Sequence, residues 1–86
     1  MTISKNTVAD KLASYLRHEI TLGQLVDWAE NALMDGEFAE PDATTVSAAV
    51  ARLGVADVRA FGLAWEDCED LLQTLGFSTR VNVVAL

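Results

Sequence analysis

Basic side chains are scarce in this chain. Its 86 residues include six Lys and Arg against thirteen Asp and Glu, which gives a formal net charge of −7. Nucleic acids and anionic membranes both bind clustered positive charge, so we expect no nucleic-acid partner and no membrane partner. The same acidity is compatible with a basic protein partner.

Cysteine and long apolar runs are also lacking. The single cysteine, Cys68, excludes a disulfide within the chain. No apolar run approaches the length of about 20 residues that spans a bilayer. Residues 1–6 lack the basic and apolar profile of a signal peptide. We therefore predict a cytoplasmic protein.

Proline is nearly absent, whereas apolar residues are abundant. One proline and 51% hydrophobic residues indicate a folded chain rather than a disordered one. A chain of 86 residues has room for a single core. The prediction is one small domain over residues 1–86.

Two helices are predicted in the first half of the chain. Ser4 is placed to cap a helix over about residues 5–18. Thr21 and Gln24 have the spacing of a capping box, which would start a second helix that Gly36 ends. The apolar stripe of this second helix would bury Leu22, Leu25, Val26, Ala29, Ala32 and Leu33.

Two more helices are predicted after a loop at residues 37–42. Pro41–Asp42 would open the third helix, and Gly54 would close it in a Schellman motif. The fourth helix would run from Trp65 to Leu75, with Gly76 as its stop. Its buried stripe would consist of Trp65, Cys68, Leu71, Leu72 and Leu75.

Residues 77–84 alternate in polarity and are rich in β-branched side chains, which predicts a C-terminal strand. A strand needs a hydrogen-bonding neighbour. Residues 57–63 form either a helical turn that Gly62 ends or a short strand that could be this neighbour. The predicted fold class is α+β and mostly helical: four helices around one core with a C-terminal β-strand. Residues 58–84 would form a strand–helix–strand unit in the second case.

The chain carries no catalytic motif, and we predict no catalytic residue, no cofactor and no metal site. His18, the single histidine, is expected on the polar side of the first helix near its end, without an orienting carboxylate. Cys68 is expected to be buried, and its acidic sequence neighbours would raise the pKa of its thiol. The segment around Asp35, Gly36 and Glu37 lacks the spacing of a calcium loop. The acids at 66, 67 and 70 fit the first turn of a helix, where negative charge complements the helix dipole.

Partner binding is the remaining source of function. Trp28 lies on the flank of the second helix's apolar stripe, where it either roofs the core or stands exposed as a binding anchor. The acidic face around it and the edge of the C-terminal strand give the candidate partner-binding residues, which are Asp27, Trp28, Glu30, Asp35, Arg80 and Asn82.

Three segments, Leu25–Phe38, Ala51–Leu63 and Trp65–Cys68, resemble a group of small bacterial proteins that carry no assigned activity. The resemblance therefore implies no functional residue. In size and negative charge the chain is also similar to bacteriocin immunity proteins, which are acidic helical inhibitors of basic nuclease toxins. No immunity-protein motif matches, and the terminal strand departs from the all-helical members.

These observations predict a non-enzymatic, cytoplasmic protein–protein interaction module. Its partner would be another protein, or a second copy of itself that pairs through the C-terminal strand. The alternative is an immunity or antitoxin-type inhibitor that masks a basic toxin surface by charge complementarity.

Overall fold

A computed structural model of the protein describes residues 2–39, 41–58 and 62–79. In chain order the elements are β1 (Thr2–Ile3), α1 (Lys5–Leu16), α2 (Leu22–Asp35), β2 (Glu37–Phe38), α3 (Ala43–Gly54) and α4 (Trp65–Thr74). The mostly helical fold with four helices is confirmed. None of these helices is both long enough and apolar enough to cross a lipid bilayer.

Side chains just before α1 and α2 form reciprocal caps. The Gln24 N–H donates to Thr21 Oγ1 at 3.1 Å, and the Thr21 N–H donates to Gln24 Oε1 at 2.8 Å. Ser4 and Thr7 exchange the same pair of bonds at 3.3 and 3.2 Å. Each box satisfies N–H groups that the first helical turn leaves without a partner. The starts of both helices therefore follow from local sequence, as predicted.

Helix α1 ends at Leu16, two residues earlier than predicted, because the chain turns at His18. The His18 N–H donates to Tyr15 O at 3.1 Å, and the Glu19 N–H donates to Ser14 O at 2.9 Å. These bonds form a Schellman motif, in which the residue after the cap adopts a left-handed conformation. His18 has φ 63°, a region that favours glycine. The histidine thus lies beyond the helix rather than on its polar side.

The strained backbone at His18 gives a stability prediction. We expect His18→Gly to raise the free energy of unfolding by about 1 kcal/mol, because a left-handed residue with a Cβ costs roughly 1–2 kcal/mol and the greater freedom of unfolded glycine offsets part of the gain. Chemical denaturation followed by circular dichroism would measure the change. His18→Ala is the matched control, since it removes the imidazole and keeps the Cβ. Equal stabilisation by both variants would assign the effect to the imidazole instead.

The first described residues pair with the segment after α2. β1 and β2 are parallel, with Thr2 opposite Glu37 and Ile3 opposite Phe38. The Ala39 N–H extends the pairing by donating to Ile3 O at 2.9 Å. The predicted loop at residues 37–42 is therefore wrong for Glu37 and Phe38. Sequence reasoning missed this pair because each strand has two residues, too few for a periodic pattern.

Of the segment predicted as a C-terminal strand, the structure describes residues 77–79, and these residues form no strand. The Phe77 N–H instead donates to Leu72 O at 2.8 Å, and Gly76 has φ 93°. These features are the predicted Schellman stop after α4. Residues 80–84, with the candidate binding residues Arg80 and Asn82, lie outside the described residues, so the strand stays a prediction there.

Between α3 and α4, the described residues favour the helical turn over the short strand. The Gly62 N–H donates to Val58 O at 3.0 Å, and Gly62 has φ 62°. A left-handed glycine is a typical end of a helical turn. Residues 59–61 lie outside the described residues. Gly54 differs from its prediction, because it is the last residue of α3 and Val55 caps the helix without a left-handed glycine.

One hydrophobic core joins all four helices and β1, and the most extensive helix contact is between α2 and α3. Its fully or nearly fully buried members include Ile3, Val8, Leu12, Leu25, Val26, Ala29, Ala32, Val46, Val50, Leu53, Cys68, Leu72 and Leu75. Four residues that the apolar stripes placed in the core are not fully buried: Leu22 and Leu71 are half-buried, and two others are exposed. Leu33 is 44% exposed and Trp65 is 40% exposed. Both stand at the margin of a helix face, where burial depends on the neighbouring element rather than on the helix itself.

Candidate partner-binding site

The structure separates the predicted acidic face on α2 from its tryptophan. Asp27, Glu30 and Asp35 are exposed, as a contact surface requires. Trp28 is half-buried and packs against the core. Lys11 Nζ lies 5.7 Å from the centroid of its ring, in a cation–π arrangement. Of the two alternatives predicted for Trp28, the structure therefore favours the one in which its side chain covers the core.

Trp65, which sequence reasoning assigned to the core, is 40% exposed. Its side chain lies between two open clefts on the surface shared by α1 and α4. The first cleft, of about 470 Å³, has Tyr15, Leu16, Ile20, Leu22, Leu63 and Trp65 among its lining residues. The second, of about 600 Å³, has Ala9, Ala13, Leu16, Trp65, Leu72 and Phe77 among its own. Leu16 and Trp65 line both clefts. We therefore treat the two clefts as one site and call it the Trp65 groove.

Small side chains on α1 explain why the groove exists. Ala9 and Ala13 are one turn apart and Leu16 follows at helical spacing, so all three face α4 as one row. Alanine does not extend far enough to fill the space that Leu72 and Phe77 border on the other side. The indole of Trp65 consequently keeps a solvent-exposed flank instead of being covered by α1.

A network around Arg52 holds the start of α4, and with it Trp65, against α3. Arg52 Nη2 donates to Gly62 O at 2.9 Å and lies 3.5 Å from Asp67 Oδ2. The same Asp67 oxygen accepts a hydrogen bond from the Ala64 N–H at 2.8 Å. This bond is one half of a capping box, and the other half is absent because the alanine at the N-cap has no side-chain acceptor. Sequence reasoning missed this pairing because Arg52 and Asp67 belong to different helices.

The far end of the groove has a second polar contact. Thr79 Oγ1 donates to Glu69 Oε2 at 3.2 Å, which ties the segment after α4 back onto the helix. Ser78 and Thr79 both line the second cleft. Polar contacts therefore fix both ends of α4, the helix that forms one wall of the groove.

Cys68 lies beneath the first cleft but is fully buried. Burial raises the pKa of its thiol above the ordinary value, and the Asp67 carboxylate raises it further, while the Arg52 guanidinium acts in the opposite direction. The thiol is therefore protonated at neutral pH, and a protonated thiol is a weak nucleophile. The predicted burial of Cys68 is confirmed.

Two further observations concern metal ions and relatives. Within the described residues, no three His, Cys, Asp or Glu side chains are grouped so that they could hold a metal ion. Comparison of the chain with protein-family models, curated proteins and solved structures found no match. A functional assignment consequently depends on the geometry of the Trp65 groove and on the distribution of charge.

Proposed function

We propose that this protein is a non-enzymatic protein–protein interaction module that binds its partner through the Trp65 groove. The observation that carries the proposal is the placement of Trp65, an indole that is 40% exposed between two clefts. Tryptophan is enriched at the energetic centres of protein interfaces, because its large ring removes much apolar surface from water on binding.

The form of the groove supports a macromolecular partner. Small-molecule sites surround most of the ligand surface and present a few converging polar groups. Here two open clefts adjoin along the surface of a helix pair, with mainly apolar linings. A protein segment that lies along the groove would contact both clefts at once.

The exposed acids of α2 support the alternative function, an immunity or antitoxin-type inhibitor. Asp27, Glu30 and Asp35 are exposed within a chain of net charge −7. A basic toxin surface would be attracted to this face by charge. Such an inhibitor also binds a partner. It differs from the first proposal in the surface that it uses and in its effect on the partner.

Site-specific photocrosslinking in the native cells would test the proposal. A photoreactive residue in place of Ala13, inside the groove, is expected to give a discrete crosslinked protein. The same residue in place of Met34, which is 73% exposed on α2, is the matched control. Crosslinking from position 13 should disappear when Trp65→Ala is added, because the anchor is lost.

The crosslinking pattern separates the two functions. Products from position 34 but not from position 13 would favour the acidic face of α2 and the inhibitor function. The absence of products from both positions would contradict an interaction module that uses either surface.

A further inference from the structure

We infer that the Trp65 groove binds a basic amphipathic helix of another protein. This inference rests on the proposed function and adds to it the chemistry and secondary structure of the partner segment. The residues that carry it are Asp10, Leu16, Trp65 and Leu72, together with Glu66 next to Trp65.

The walls of the groove fit a helix. The first cleft lies between the end of α1 and the start of α4, and the second includes an earlier turn of α1 and a later turn of α4. The two helices therefore run in opposite directions along the groove. Trp65 and Leu72 are seven residues apart, which is about 10 Å along a helix axis. Apolar side chains at positions i and i+7 of a docked helix are separated by the same distance along its axis. One of these two side chains would enter the first cleft, and the other would enter the second.

Charge selects a basic helix over an acidic one. Asp10 lines the second cleft, and Glu66, which follows Trp65 in the chain, is exposed on α4. Among the described residues, these two carboxylates form no ion pair. Arg17, the lining residue of opposite sign, lies 3.8 Å from Glu19. Lys or Arg side chains that flank the apolar face of a docked helix would thus meet unneutralised acids.

The same charge disfavours a second copy as the occupant. Each chain carries a formal net charge of −7, so self-association would bring two acidic surfaces together. Along α1 and just after it, the side chains next to the groove do not supply enough positive charge to reverse this effect, because Arg17 is accompanied by Asp10 and Glu19.

Two matched probe peptides would test the inference. Both are amphipathic helices of roughly 18 residues, about five turns, with leucine along one face. One carries lysine at every polar position and the other carries glutamate. A third peptide has the lysine composition with its leucines scattered around the helix. Anisotropy of a fluorescent label on each peptide measures its binding to the full chain.

We expect the lysine peptide to bind at least roughly tenfold more tightly than either of the others, since both the apolar face and the charge match. Trp65→Ala should weaken this binding about tenfold or more, because it removes the anchor. Met34→Ala is the control and should leave it unchanged. Added salt should weaken binding of the lysine peptide.

Each alternative has its own signature. Equal binding of the lysine and glutamate peptides would overturn the charge preference, and equal binding of the scattered peptide would overturn the helical one. Both outcomes leave the proposed function standing. Absence of peptide binding together with crosslinks from position 13 would overturn the partner chemistry alone. Absence of both would overturn the proposed function as well.

Trp65 fluorescence identifies the remaining occupants. In a Trp28→Phe background, Trp65 is the single tryptophan and its emission reports on the groove. A blue shift that grows with protein concentration would show that a second copy binds there. Emission that is already blue-shifted in the isolated monomer would show that residues 80–86 of the same chain cover the indole. Either result would overturn the inference, and a solvent-exposed emission that shifts with the lysine peptide would support it.

Discussion

Gly36→Ala is expected to lower the free energy of unfolding by about 1–3 kcal/mol, the usual cost of an added methyl group in closely packed surroundings. A Cβ at this position would lie 2.6 Å from the backbone oxygen of Ala32 and would overlap Ile3 Cδ1. Neither neighbour can move easily, because Ala32 O accepts the Gly36 N–H at 2.9 Å and Ile3 is fully buried. With φ −81°, Gly36 has an ordinary backbone conformation, so the cost is one of space.

Gly54→Ala is the matched control for Gly36→Ala. Gly54 belongs to α3, and a Cβ there would make ordinary contact with Leu33 Cδ1 at 3.6 Å. We expect this variant to be neutral or to gain about 0.5–1 kcal/mol, because alanine is the better helix former. Denaturant unfolding monitored by circular dichroism gives both values. Equal effects of the two substitutions would contradict the close packing of β1 against the end of α2.

Leu25→Ala is expected to destabilise the protein by about 2–5 kcal/mol, the range for loss of a buried leucine side chain. Leu25 is fully buried in the core between α2 and its neighbours. A domain of this size buries a modest share of its surface, so a loss of this magnitude could approach its total stability. Thermal unfolding followed by circular dichroism measures the loss, and residual helicity at low temperature is the readout if the variant does not fold.

Leu33→Ala is the comparison that separates the sequence pattern from the structure. Both leucines belong to the apolar stripe of α2, so periodicity alone predicts similar costs. Because Leu33 is 44% exposed, we expect a loss of less than about 1 kcal/mol. A loss at Leu33 equal to that at Leu25 would contradict the packing described for the end of α2.

The site was harder to predict than the fold. The acidic face at Asp27, Glu30 and Asp35 was placed correctly on the surface, because exposure of charged side chains follows from composition and helix period. Of the two alternatives left open for Trp28, the structure favours packing on the core, whereas Trp65, which was expected in the core, is 40% exposed between the clefts. A helix pattern identifies the apolar face of a helix but does not show which part of that face a neighbour covers.

The sequence by itself determined the four helices and the positions where α1 and α2 begin. Ser4, Thr21 and Gly76 act through hydrogen bonds to residues three to five positions away, so their effect is readable without the fold. Tertiary structure alone decided the β1–β2 pairing, the close contact of Ile3 with Gly36, the Arg52–Asp67 pair and the exposure of Trp65. Each of these features depends on whether residues that are distant in sequence come into contact. Their geometry is set by how whole elements pack, and local patterns carry no information about that packing.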